Sequence, residues 1–271
     1  MPPAIASDGT RLSYEVEGDG PALLLAHELG SDGRQWRGQV AALCGQLRCI
    51  VPNARGYPPS QVPAEDDAYL WDRFAGDLGA VLDAAGEARA AIMGWSMGAY
   101  AALQFARLHP GRVRALVLVG IGSGSPSGDE GLWRLQMADM SAAWLEDPRR
   151  AARMLAEASN RQALRRLNPE AFAAWLADLE GHSSGGMART CRNYQGRRPS
   201  LQDFEGEFRA LEIPTLIVCG EQDAPCVETS RWLAGALPNV KLWEPDGLGH
   251  APNLEAPEQF NREVGMFLSS L

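Results

Sequence analysis

Lysine is almost missing from this sequence: Lys241 is the only one, and the other 24 cations are arginines. That is read as a bias of codons, not as a binding signal. Cations are also outnumbered, 25 against 34 acids, for a formal net charge of −9. Such a balance speaks against a phosphate-backbone partner unless a local basic patch supplies one. No apolar run approaches the ~20 residues that span a bilayer. The N-terminus, Met1-Pro2-Pro3-Ala4-Ile5 and then Ser7-Asp8-Gly9, lacks the basic start and apolar stretch of a secretory signal. Five cysteines (Cys44, Cys49, Cys191, Cys219, Cys226) are scattered and odd in number. They read as small buried hydrophobes in a reducing compartment, not as a disulfide framework. Histidines and cysteines never group at metal-ligand spacing, and no G-x-G-x-x-G follows a strand at the start of a helix. Neither a metal nor another cofactor is therefore expected. The expectation is a cytoplasmic monomer or homodimer with a small-molecule substrate and no nucleic-acid or membrane partner.

What is present is ordinary globular composition, with 45% hydrophobic and 22% charged residues over 271 positions. Pro21 to His27 and Ala90 to Trp95 are continuous apolar runs, the pattern of strands buried on both faces. An opening hairpin is expected around Asp8-Gly9, and further strands at Arg48–Pro52, Arg114–Gly120, Thr215–Gly220 and Lys241–Glu244. Helices are expected at Gln35–Gln46, Trp71–Ala85, Met97–Leu108, Glu228–Leu237 and Pro257–Leu268. Strands alternating with helices make a doubly wound, mostly parallel α/β sheet. The alternation breaks from Ile121 to about Leu211, where only helical stretches occur, such as 130–144, 148–158 and 169–180. This predicts a core of residues 1–121 and 212–271 with a helical cap, 122–211, inserted between two strands. Charge supports the division, since the 122–211 segment carries 12 arginines and 12 acids and the remainder accounts for the whole −9.

Gly94-Trp95-Ser96-Met97-Gly98 lies where a buried strand ends and a helix begins. This is the G-x-S-x-G nucleophile elbow. Ser96 must take a strained turn conformation that lifts its hydroxyl from the sheet, and the flanking glycines remove the side chains that would clash. The following helix aims its N-terminus at the reacting centre, so the Met97 amide can meet a developing oxyanion. A neutral serine needs a base held by an acid. Gly247-Leu248-Gly249-His250 offers the base: His27 precedes the serine, His109 ends the helix after it, and His182 lies in the cap. Asp223 in Gly220-Glu221-Gln222-Asp223 is the favoured acid, with Glu221 and Asp246 as nearby alternatives. Both loops follow strands at the carboxyl edge of the sheet, where such folds bind ligands.

The order His27-Glu28-Leu29-Gly30, GWSMG, GEQDAPC and GLGHAPNLEAPEQFN resembles the α/β-hydrolase superfamily with a helical cap, from about Pro21 to Leu271. The resemblance implies Ser96 as nucleophile, His250 as base, Asp223 as acid, and an oxyanion hole from the backbone amides of Leu29 and Met97. Two positions depart from the family pattern. Glu28 stands where relatives usually carry glycine, and it is expected to point away from the pocket, because a carboxylate inside would oppose the oxyanion. Asn53 replaces a usual aspartate before Ala54-Arg55-Gly56-Tyr57 and is expected to hold its loop by hydrogen bonds. The Leu29-Gly30-Ser31-Asp32 loop also resembles that of 3-oxoadipate enol-lactonases.

Substrate-pocket candidates are Glu28, Trp95, Trp133, Met137, Trp144 and His182. The cap also holds Met140, Phe172 and Trp175; for any one of these apolar side chains, packing within the cap is the simpler expectation. Arg189, Arg192, Arg197 and Arg198 could recognise a substrate carboxylate; a structural role with Asp203, Glu205 and Glu207 as neutralising partners is preferred. The resulting expectation is a serine hydrolase of small or medium carboxylic esters or lactones. An enol-lactonase or carbon–carbon bond hydrolase of aromatic degradation is the alternative within hydrolases. A non-hydrolytic ligand-binding or cyclase-like homologue is the alternative of another class.

Overall fold

A computed structural model describes residues 2–122, 124 and 130–271. The first residues of the expected cap, 123 and 125–129, thus lie outside the described residues. The opening hairpin pairs β1 (Ala4–Ile5) with β2 (Arg11–Leu12) across Gly9, whose φ of 84° suits glycine. β3 (Tyr14–Glu17) then leaves that hairpin and pairs antiparallel at the edge of the main sheet. β4 (Ala22–Ala26), buried throughout, leads through α1 (Arg37–Leu43) to β5 (Arg48–Pro52). α2 (Trp71–Ala85), β6 (Ala90–Trp95), α3 (Met97–Leu108) and β7 (Val113–Val119) follow. Between β7 and β8 (Thr215–Val218) the regular elements among the described residues are helical, including α4 (Glu130–Glu146), α5 (Pro148–Ala156), α6 (Gln162–Leu167), α7 (Pro169–Glu180), α8 (Ser184–Arg189) and α9 (Glu205–Arg209). A π-helical turn at Thr190–Gln195 continues α8. The chain closes with α10 (Ala224–Ala236), β9 (Val240–Trp243), α11 (Pro252–Glu255) and α12 (Pro257–Ser269).

The main sheet has the order β3-β5-β4-β6-β7-β8-β9, parallel except for β3. This is the expected doubly wound α/β sheet with a helical insertion. The centre of the sheet is dry: Leu23, Leu24, Leu25, Ile92, Met93 and Val117 are wholly buried. Winding reverses between β4 and β6, because β5 steps outward on one side of β4 and β6 returns on the other. A crevice opens at such a switch point beyond the carboxyl ends of the strands. The loops leaving β4 and β6 there carry Glu28 and Ser96.

The expected and observed elements differ mainly at their ends. α10 starts at Ala224, four residues before the expectation, directly after Asp223 and with Pro225 in its first turn. The expected helix at Gln35–Gln46 begins as a 3-10 turn over Gly33–Trp36, capped by the Asp32 side chain. Among the described residues no helix is long and apolar enough to cross a membrane.

Candidate active site

Ser96 ends β6 at φ 51°, ψ −105°, the one non-glycine positive φ among the described residues. The glycines around it are required by packing. A Cβ on Gly94 would lie 2.3 Å from the Gly98 carbonyl oxygen, and one on Gly98 would lie 2.3 Å from that of Ala26. The turn is therefore clamped between α3 and β4. The Ser96 amide donates to the Val119 carbonyl at 2.8 Å, fixing the turn to β7. Its hydroxyl does not cap the helix it precedes. Ser96 is half-buried between the buried Trp95 and Met97.

His250 and Asp223 meet at the ends of the neighbouring strands. Asp223 Oδ2 lies 2.7 Å from His250 Nδ1, and both residues are buried. An ionised carboxylate can only accept, so Nδ1 carries the proton and Nε2 presents its lone pair. Neither Glu221 nor Asp246 takes this place: Glu221 accepts from the Gly247 amide at 3.0 Å. The loop holding His250 is braced by Glu255, whose carboxylate accepts from the Gly249 amide at 2.5 Å and the Ala251 amide at 3.1 Å. Burial raises the Glu255 carboxyl against these bonds, which lower it. Gly120, at φ 54°, passes so close that a Cβ there would sit 2.9 Å from His250 Nδ1. Cys226 also reaches the pair, with Sγ 3.8 Å from Nδ1 and 3.4 Å from the Gly120 carbonyl. Asp223, Cys226 and His250 place three donor atoms within 4.8 Å of one another, a proximity hidden in the sequence. Burial holds the Cys226 thiol well above its usual range, the opposite of what a thiolate ligand needs.

The expectation for Glu28 is overturned. Instead of pointing away, its side chain is wholly buried in the site, with Oε2 3.8 Å from His250 Nε2. The cap explains why this is tolerable. Arg161, in a 3-10 turn at Ser159–Arg161, donates through Nη2 to Glu28 Oε2. Trp175 Nε1 of α7 and Ser31 Oγ each donate to Oε1 at 3.1 Å. The carboxylate is thus neutralised by a buried guanidinium and held by two further donors, which is the condition for burying a charge. Sequence inspection missed Arg161 altogether.

His27 holds the same loop. Its Nε2 accepts from the Ala54 amide at 2.9 Å, so its Nδ1 donates to the Glu28 carbonyl at 2.8 Å. Burial keeps the ring neutral by lowering its pKa. Asn53 behaves as expected, its Oδ1 accepting from Gly33 at 2.9 Å and its Nδ2 donating to Pro58 at 3.2 Å.

Other pocket candidates fare unequally. Trp95 packs beside His250 with ring centroids 5.9 Å apart and donates to the His250 carbonyl at 2.6 Å. His182 stacks edge-on against Tyr57, which stacks likewise on His27. Trp133 donates to the Gln195 carbonyl at 2.7 Å, and Met137 lies against Gly196. These contacts tie α4 to the π-helical turn, not to His250. Trp144 is buried near the end of α4.

Of the arginines at 189–198, Arg189 and Arg197 pair with carboxylates other than Asp203, Glu205 and Glu207. Arg189 donates to the Ala64 carbonyl at 2.9 Å and pairs with Asp66, and Arg197 lies 3.9 Å from Asp67. Arg198 stacks on Tyr100, 4.7 Å from the ring centre. Glu205 and Glu207 instead pair with Arg209 and Arg107.

The geometry has counterparts among known proteins. The family described as alpha/beta hydrolase fold matches residues 21–257. A protein described as putative carbamate hydrolase RutD from Klebsiella pneumoniae is 32% identical over 269 residues, covering 93% of this chain and 92% of its own. The enol-lactonase of Burkholderia xenovorans superposes with a TM-score of 0.85 at 26% identity, over 99% of this chain and all of that one. A thermophilic esterase from Thermogutta terrifontis gives 0.86 at 27% identity, over 98% and 96% of the two chains. The chain is a hydrolase and belongs to the α/β-hydrolase fold family.

Proposed function

We propose that the protein is a serine hydrolase that cleaves a small or medium carboxylic ester or lactone through an acyl-Ser96 intermediate. The observation that carries this is the His250–Asp223 pair at 2.7 Å, tied to the residue before the strained Ser96 by the Trp95 Nε1 hydrogen bond to the His250 carbonyl at 2.6 Å. His250 Nε2 takes the proton of Ser96 Oγ as the oxygen attacks the carbonyl carbon. The amides of Met97 and Leu29 receive the tetrahedral oxyanion, the former at the positive end of α3. His250 then gives its proton to the leaving alkoxide, and the acyl-enzyme forms. Water enters, loses a proton to the same nitrogen and releases the acid, restoring Ser96. Residues 122–211 serve as the cap that covers this centre, on a core of 1–121 and 212–271.

Glu28 takes part through charge. When the imidazolium forms, carboxylates stand near both of its nitrogens, Asp223 at Nδ1 and Glu28 near Nε2. Arg161 offsets the second, so the site stabilises the imidazolium without an excess negative charge beside the oxyanion. The similarity to a carbamate hydrolase and to an enol-lactonase suits the same acyl transfer with a nitrogen-bearing or enol leaving group.

Stopped-flow hydrolysis of p-nitrophenyl esters, acetate to octanoate, tests the proposal. A burst of one equivalent per active site with wild type, and loss of turnover in Ser96→Ala, is the expected result. Turnover undiminished in Ser96→Ala would refute the acyl-serine route.

A further inference from the structure

Arg161 is a charged group at the site with an unmet hydrogen bond. Its side chain is 8% exposed, its guanidinium carbon lies 4.6 Å from the centre of the Trp175 ring and 5.5 Å from that of Trp95, and one nitrogen is spent on Glu28. The other terminal nitrogen, Nη1, is buried and finds no acceptor among the described residues. Buried polar atoms are nearly always paired, and one left over calls for an explanation. Glu28 does not supply the missing acceptor, since neither of its oxygens bonds Nη1. Its two oxygens already take Arg161 Nη2, Trp175 and Ser31. The same Oε2 that Arg161 grips lies 3.8 Å from His250 Nε2, so the guanidinium fork is fixed one carboxylate away from the nitrogen that moves the proton.

We propose that Arg161 Nη1 is a specificity-determining donor that binds a second, uncharged carbonyl oxygen of the substrate. The inference rests on the acyl-Ser96 reading and adds the substrate class: keto-esters, keto-lactones or acylamino-lactones in preference to plain alkyl esters. Charge decides between a neutral and an anionic acceptor. The positive charge of Arg161 is already matched by Glu28 in direct contact, and Asp223 lies on the far side of His250. A substrate carboxylate would add an uncompensated negative charge to a dry site. A ketone or amide oxygen accepts the same hydrogen bond and adds none. A site built to donate to a carbonyl also rejects the analogue without it, because its buried donor is then left unpaired.

The test compares ethyl 4-oxopentanoate, ethyl pentanoate and the monoethyl succinate anion as substrates of wild type, Glu28→Gln, and Glu28→Gln/Arg161→Met. The double variant removes both charges together, so no ion is left buried alone. Any effect of Glu28 on His250 is common to the keto-ester and the alkyl ester, both neutral, and cancels in their ratio. Wild type and Glu28→Gln should prefer the keto-ester over the alkyl ester by about tenfold or more in kcat/KM, mostly through KM. The double variant should lose that preference. An unchanged keto-to-alkyl ratio in the double variant, or a wild type that prefers the succinate anion, overturns the proposal. If wild type turns over no ester, the acyl-serine reading fails by itself, and calorimetry with the same three compounds on Ser96→Ala and Ser96→Ala/Glu28→Gln/Arg161→Met still decides about Arg161. Tighter binding of the keto-ester than of the alkyl ester, abolished with Arg161, supports the proposal; equal binding overturns it.

Discussion

Truncating Arg161 to alanine should cost far more than an ordinary cap substitution. The residue carries one half of a buried ion pair whose other half, Glu28, is wholly buried and cannot rotate into solvent without leaving Trp175 and Ser31. Removing one partner of such a pair leaves an uncompensated charge in the interior, typically ~3–5 kcal/mol. The guanidinium also lies against Trp95 and Trp175, and the loss of that packing adds to the effect. At about 2–4 °C per kcal/mol for a chain approaching this size, melting should fall by roughly 6–20 °C. Urea unfolding followed by tryptophan fluorescence gives the free energy directly. The decisive partner is Glu28→Gln, which keeps an acceptor for Trp175 and Ser31 but carries no charge. Placed in the Arg161→Ala background it should return about 2 kcal/mol, a coupling of the size expected for residues in contact. A loss below about 1 kcal/mol for Arg161→Ala, or a further loss on adding Glu28→Gln, would show that the carboxylate is not the buried charge described above.

Two further perturbations follow from the same geometry. Burial lowers the His182 pKa to about 4, against about 6.5 in an unfolded chain. The unfolded state therefore takes up the proton first as pH falls. The contribution of His182 is fully present above about pH 6.5 and erodes towards pH 4, by about 3 kcal/mol in all. Urea unfolding across this window should show a shallower pH dependence in His182→Gln, and equal slopes would refute the assignment; His27, whose pKa burial also lowers, supplies part of the remaining slope. Gly120→Ala, with its Cβ 2.9 Å from His250 Nδ1 and 3.2 Å from Asp223 Oδ2, should prise the pair apart. Ester turnover should fall by about 10² or more, while the strained φ costs only about 1–3 kcal/mol of stability; unimpaired kcat would mean that the pair does not orient the base.

The sheet and the residues proposed for chemistry at its edge were legible because each announces itself locally. β5, β6, α2, α3 and α7 coincide with the periodicity of apolar residues, since burial on two faces or on one stripe leaves a repeating pattern. Gly94 and Gly98 sit where a side chain would meet backbone at 2.3 Å, and the short spacing makes such a constraint visible in sequence. Asp223 and His250 fall at strand ends, where topology brings them together. The cap was legible only as helices. α6, α8, α9 and the π-helical turn escaped because each is six residues or fewer, too short for a period to show. Arg161 escaped for a different reason. It stands among Glu157, Arg165 and Arg166, of which Arg165 and Glu157 form an exposed pair, so the run reads as a solvated face. Its partner lies 133 positions away, and only the closed chain shows that one arginine of the run turns inward.

That partner also changes what the cap is for. Tyr194 donates to the Met97 carbonyl at 2.8 Å, Tyr100 to that of Pro199 at 2.8 Å, and Asn168 to that of Leu254 at 2.9 Å. Such ties would suffice to seat a passive cover. Arg161 and Trp175 do more, because they supply the charge and one of the hydrogen bonds that make Glu28 tolerable beside His250. Without the cap, a carboxylate would sit uncompensated next to the amides assigned to the oxyanion, and the same donors that stabilise a tetrahedral intermediate would face a competing negative charge. The family's usual glycine at position 28 needs no such partner. On the proposed acyl-serine route, a chain that carries glutamate there depends on its cap for the electrostatics of the reaction as well as for the shape of the pocket. Lifting the cap would lower reactivity towards any ester, whether or not its acyl chain reaches Trp95 or Trp175.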